Sequence, residues 1–153
     1  MTGAGEDLVA YLANLGGIGT PGVNLFLGHM PDLAAAITII ETGGPAPYHT
    51  YGPEEIIDHP SVQVLVRNPA YLLARDKADQ IRDALDGLTG MPINGTRYLS
   101  ITAMSDPAHL GKTGTSQGEA HEFSVNFTTM RERAAPVVGL CGAYYDLSEW
   151  FTP

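Results

Sequence analysis

The sequence predicts an α+β fold, a mixed and mostly antiparallel β-sheet with a short N-terminal helix and one long helix packed on one face. Three observations predict it. Residues 61–67, SVQVLVR, alternate polar and apolar with Val62, Val64 and Val66 on one face, the period of a half-buried strand. Tyr71, Ala74, Ala78, Ile81, Leu85 and Leu88 then recur at steps of three and four, while Arg75, Asp76, Asp79, Arg82, Asp83 and Asp86 occupy the remaining positions, as in a helix lying on a sheet. Residues 121–133 return to alternation, with Phe123, Val125 and Phe127 opposing Glu122, Ser124, Asn126 and Thr128.

Along the chain, Leu8, Tyr11, Leu12 and Leu15 form the stripe of a short helix closed by Gly16-Gly17, and residues 23–27 and 35–41 are strand-like in length and β-branched content. Residues 43–53, GGPAPYHTYGP, read as a rigid extended loop presenting Tyr48 and Tyr51. Such a loop loses little entropy on binding and suits a contact surface, although the commoner role is a connector across a sheet end. Asn68-Pro69 predicts the start of the long helix, with Asn as N-cap and Pro at the first helical position. Gly87, Gly90 and Pro92 end it, and Asn94-Gly95 tolerates positive φ. In the strand that follows, Leu99, Ile101 and Ala103 face inward and Tyr98, Ser100 and Thr102 outward. Residues 104–120, rich in Gly, Ser, Thr and Asp, read as a long irregular loop, a kind of segment that is usually functional or disordered. At ~3.3 Å per residue, strand 121–133 reaches ~40 Å, so its ends and that loop are expected to project beyond the sheet.

The 153 residues fit one domain, with residues 1–133 as its body and 134–153 as an aromatic tail. Charge is unevenly spread: residues 1–66 hold seven acids and no Lys or Arg, whereas residues 67–133 hold eight basic and eight acidic side chains, and the net charge is −9. A first basic residue at Arg67 predicts no export or transit signal, and no apolar run approaches the ~20 residues that span a bilayer. A single Cys141 rules out an internal disulfide and a multi-cysteine zinc site. The acidic balance argues against gripping nucleic acid through phosphates.

Chemical motifs fail on spacing. Leu110-Gly111-Lys112-Thr113 resembles the end of a phosphate-binding loop, but Asp106 stands where that loop needs a glycine, and GTSQG after the Thr cannot readily start a helix. Asp58-His59-Pro60-Ser61 has the residue types of a nucleophilic triad, yet neighbours in an extended chain point to alternate sides, so it reads as the start of a strand. His29, His49, His59, His109 and His121 show no metal-ligand spacing, and Asp76, Asp79, Asp83 and Asp86 read as a solvated helix face. No catalytic residue, cofactor or metal is assigned. An architecture without chemistry points to assembly.

The runs HPSVQVLVRNPAYLLARDKADQIRDALDG and INGTRYLSI, a loop with Pro107 and Leu110-Gly111, and HEFSVNFTTMRER closely resemble the bacteriophage minor capsid family whose members are tail terminators, or tail completion proteins. YLANLGGIGTPGVNLFLGHMP and ETGGPAP are similar to the same family's N-terminal part, so the resemblance covers roughly residues 6–133. It implies a structural virion protein, assembled in the host bacterial cytoplasm, that forms a ring of six on the head-proximal end of the tail tube. There the ring would end tube polymerisation and meet the head-tail connector or stopper protein, and a sheath if the tail is contractile. The other readings are a different neck protein, such as the stopper or head-closure adaptor, or a phosphate-binding enzyme using Gly111-Lys112-Thr113.

Three expectations about surfaces follow. The polar sheet face of Gln63, Ser100, Thr102, Ser124, Asn126 and Thr128 is an assembly or lumen surface, since neutral polar groups are desolvated at a smaller cost than charges. An anionic ring lets the genome slide through its lumen without tight binding. Contacts are expected at Tyr48, Tyr51, Pro107, Leu110, Lys112, Ser124 and Asn126, and in the tail at Trp150 and Phe151, with Tyr144 and Tyr145 on the protein's own core.

Overall fold

The computed structural model describes residues 3–49 and 56–133. Helix α1 (Ala4–Leu15) precedes strands β1 (Leu25–Leu27), β2 (Ala36–Gly43), β3 (Tyr48–His49), β4 (Ile56–Asp58) and β5 (Ser61–Asn68). Helix α2 (Tyr71–Leu85) leads to β6 (Leu88–Ile93), β7 (Thr96–Ala103), β8 (Ala108–Thr115) and β9 (Gly118–Arg133). The described strands form one nine-stranded sheet, mixed only through the parallel pair β1–β2.

The spine is β9. Along one edge it pairs with β5 and then β4; along the other it pairs with β8 and then β7. Strand β2 lies outside β5, β1 outside β2, β3 outside β4 and β6 outside β7. Both helices cover one face. Ala74, Ala78, Ile81 and Leu85 of α2 and Leu8 and Leu12 of α1 are buried with Ile37, Ile39, Val62, Val64, Val66, Phe123, Val125 and Phe127. Truncating one of these large side chains to Ala costs about 2–5 kcal/mol, because the lost transfer energy is joined by an unfilled cavity. Helix α1 lies close to the sheet at Gly5, where an added Cβ would stand 2.6 Å from Leu27 Cδ1 and push that side chain aside. The Gly5 N–H donates to Glu41 Oε1 at 2.8 Å, a carboxylate at the positive end of the helix.

Several expectations need correction. Residues 104–120 are a hairpin arm rather than an irregular loop: β8 pairs with β9 from Ala108↔Ser124 to Thr115↔Gly118, so β9 begins before residue 121. Its tip does not stand free. Ser116 N–H donates to Asp32 Oδ1 at 2.9 Å, Ser116 Oγ to the Asp32 carbonyl at 3.3 Å, and Ala34 N–H to Gln117 Oε1 at 2.9 Å. A Gly- and Thr-rich strand gives no apolar period, yet its backbone fills the ladder as well as any other.

Residues after α2 form β6, with Asn94 (φ 51°) and Gly95 (φ 82°) turning into β7. Leu88 therefore belongs to β6 and not to the helix stripe, and Pro92 is tolerated because β6 is an edge strand. Helix α2 starts at Tyr71, while Asn68 ends β5 and its Oδ1 accepts from the Ala70 N–H at 2.9 Å, a local turn rather than a helix cap. Residues 20–24 form a turn, which shortens the first predicted strand to Leu25–Leu27. A register shift between Tyr98 and Ser100 lets Tyr98 and Ile101 both face the core, so Tyr98 is fully buried and Leu99 only half-buried. A bulge changes which side chains face inward, and alternation alone does not foresee it.

Candidate assembly surfaces

The face opposite the helices carries no helix among the described residues. Register places Ala36, Thr38 and Ile40 of β2, Arg67, Leu65 and Gln63 of β5, and Glu122, Ser124, Asn126 and Thr128 of β9 on it together. Residues 29–34 lie against the Thr38–Arg67 end of this face and are bonded to the β8–β9 tip, forming a roof there. The Arg67 guanidinium holds the roof, donating through Nη1 to the carbonyls of Pro31 (3.0 Å) and Leu33 (3.3 Å) and through Nη2 to Glu122 Oε2 (3.0 Å). Thr38 Oγ1 donates to the His29 carbonyl at 3.3 Å. Ser124, between Leu65 of β5 and Ala108 of β8 in the sheet, is only 5% exposed and so offers little surface to a neighbour.

Beyond the roof, Ile40, Gln63, Leu65, Asn126 and Thr128 are half-buried and Thr102 is exposed. All six are uncharged. Half-buried neutral side chains on a sheet face that the described residues leave open cost less to desolvate further than charges would, which suits a surface that meets protein.

The remaining predicted contacts scatter. Tyr48 is exposed on β3 with its ring edge-on to His59 at 4.3 Å. Pro107 is half-buried in the connection from β7 to β8. Leu110 sits at the β8 register shift, 55% exposed, and Lys112 lies 3.8 Å from Glu119. Gly111, Lys112 and Thr113 are consecutive residues of a paired strand, so no phosphate-cradling loop forms there. Tyr51, Tyr144, Tyr145, Trp150 and Phe151 lie outside the described residues.

Two constellations escaped sequence reasoning. In the first, the Tyr98 hydroxyl donates to Asp7 Oδ2 at 2.5 Å, Asn94 Nδ2 to Asp7 Oδ1 at 3.2 Å and Arg131 Nη1 to Asp7 Oδ2 at 3.4 Å. Burial, followed by the bond to Asp7, pushes the Tyr98 pKa far above its usual value, so the phenol stays protonated and donates. This network ties α1 to the β6–β7 turn and to β9. The only sequence signal was Asp7 standing beside the apolar stripe of α1. The second is aromatic: Tyr71 packs edge-on to His109, His121 and Phe123 at 5.0, 5.4 and 5.2 Å, and His109 Nε2 lies 3.1 Å from His121 Nδ1. Nothing in the spacing of the two histidines signals this, because the hairpin register creates it.

Among the described residues no three His, Cys, Asp or Glu side chains gather as a metal site would require, and no helix is long and apolar enough to cross a membrane.

Residues 11–133 match a family model described as bacteriophage tail terminator protein. No curated protein matches the chain. Among solved structures, a chain in "Virion of native gene transfer agent (GTA) particle" aligns with a TM-score of 0.47 and 15% identity, covering 81% of this chain and 86% of that one. The family match runs from within α1 to the end of β9 and so takes in nearly the whole described fold. The chain therefore belongs to the bacteriophage tail terminator protein family and is a structural protein of the virion tail.

Proposed function

We propose that six copies of this protein close into a ring on the head-proximal end of the tail tube, where the ring stops tube polymerisation and presents the surface that joins the head. The family match over residues 11–133 carries this reading. The partners are then other copies of the chain, the tail tube protein and the head-tail connector or stopper, with a sheath if the tail is contractile. The uncharged open sheet face around Gln63, Leu65, Asn126 and Thr128 supports it as a surface for a neighbour or for the lumen. Tyr48, Pro107, Leu110 and Lys112 are proposed as further contacts, and residues 134–153, with Trp150 and Phe151, as a docking tail. The genome passes through without being held, in keeping with the net charge of −9 and the absence of Lys and Arg before Arg67.

Native mass measurement of the purified protein, alone and with tube protein, tests the ring: six copies support it and a monomer in both conditions overturns it. Electron microscopy of tails assembled without the protein tests the capping role. Tubes of uncontrolled length are expected, and tails of normal length that still join heads would refute it.

A further inference from the structure

The β8–β9 arm brings two imidazoles together where it leaves the core. In the strand register His109 stands beside Phe123 and His121 beside Lys112, so both rings lie on the sheet face that carries Phe123. Aromatic neighbours hold them there. Tyr71 at the start of α2 packs edge-on to His109 and His121 at 5.0 and 5.4 Å, and His109 lies 5.0 Å from the Phe123 ring. His109 is exposed and His121 half-buried, so the gap between them opens to solvent.

His109 Nε2 lies 3.1 Å from His121 Nδ1. A hydrogen bond accounts for that distance, and so does the geometry of a shared cation. Two imidazole nitrogens about 2.0–2.1 Å from one zinc ion stand ~3.3 Å apart at the corners of a tetrahedron and ~2.9 Å apart at adjacent corners of a square. The observed separation falls between the two. For both lone pairs to face an ion, the hydrogen between the rings moves to His109 Nδ1, a change of neutral tautomer that releases no proton. The neighbouring charges permit a cation: Lys112 is drawn to Glu119 at 3.8 Å, and the net charge of −9 attracts cations to the chain.

We propose that His109 and His121 bind one divalent cation of the zinc class and so staple β8 to β9. The staple falls beside the register shift between His109 and Gly111, where the ladder is interrupted. The described residues bring no third histidine, cysteine or carboxylate to the pair, so water completes the shell and the site is open and exchangeable, unlike a closed structural zinc site. This proposal does not depend on the ring.

Zinc titration of the full chain, followed by calorimetry in a buffer that does not bind zinc, is the test. One ion per chain is expected, with a Kd tighter than about 1 mM. His109→Gln and His121→Gln each keep a polar side chain and leave His29, His49 and His59 in place, so zinc held elsewhere would persist in both. Each should weaken binding about tenfold or more, the least that losing even an outer-shell partner of a metal costs. Circular dichroism of the metal-free variants checks that the fold is kept. Amide exchange gives the second readout: at free zinc 100 times the Kd, exchange in residues 108–115 should slow by up to about 100-fold in the wild type, because opening β8 separates the ligands, and should not slow in His109→Gln. The proposal is overturned if no zinc binds below about 1 mM, if either folded variant binds as the wild type does, or if zinc leaves the exchange of β8 unchanged.

Discussion

Two hairpins leave the same spine and are held in opposite ways. The β6–β7 hairpin sends Ile93, Tyr98 and Ile101 into the core and is bolted to α1 by the buried Asp7 carboxylate. In the β8–β9 hairpin, β8 buries no residue of its own, and its tip is fastened by hydrogen bonds from Ser116 and to Gln117 at the molecule's surface. Both are paired along most of their length. The difference is whether the hydrogen bonds are protected by apolar packing, and it separates the part of the sheet that sets global stability from the part that is free to serve a surface.

That comparison can be broken from either side. The largest effect is expected from Asp7→Ala, which removes the buried acceptor of the Tyr98 hydroxyl and one of the carboxylates beside Arg131, leaving it Asp58 at 4.0 Å; urea titration should show a loss of about 3 kcal/mol. A loss below about 1 kcal/mol would mean that the network is incidental. Tyr98→Phe keeps the ring and removes one donor, so about 1–3 kcal/mol is expected from leaving the buried carboxylate short of a partner.

On the other hairpin, Asp32→Ala removes the acceptor of the Ser116 N–H and should cost about 0.5–1.5 kcal/mol. Its signature is local: amide exchange in residues 108–117 should quicken while β5 and the core half of β9 stay protected. Uniform acceleration would show that the tip is part of the global unit. Asn126→Glu with Gln63→Lys should leave the monomer's stability within about 0.5 kcal/mol, since both positions lie on the open face. If that face meets a neighbour, the native mass falls; an unchanged mass would remove the face from the interface. Ser124, 5% exposed, is the wrong place for this test, because a charge there would disturb the fold itself.

How much of this was legible in the sequence depends on the range of the information. Helices α1 and α2 and strands β5 and β9 announce themselves, because each buries one face and a buried face imposes a local period of 3.6 or 2 on its own residues. The uncharged alternate positions of β5 and β9 were legible for the same reason, as was the family resemblance carried by residues 6–133. Strand β8 was not, since Gly111, Lys112, Thr113 and Gly114 carry no period and become a strand only through β9. Nor was the fate of individual side chains. Arg67 is held by the carbonyls of a segment from before β2, Tyr98 is turned inward by a register shift, and Asp7 is satisfied by residues 91 and 124 positions away. Sequence by itself determined which faces must be buried, because apolar spacing is a local property; only the tertiary structure decided which polar groups are buried with them, because their partners come from distant parts of the chain and leave no local trace.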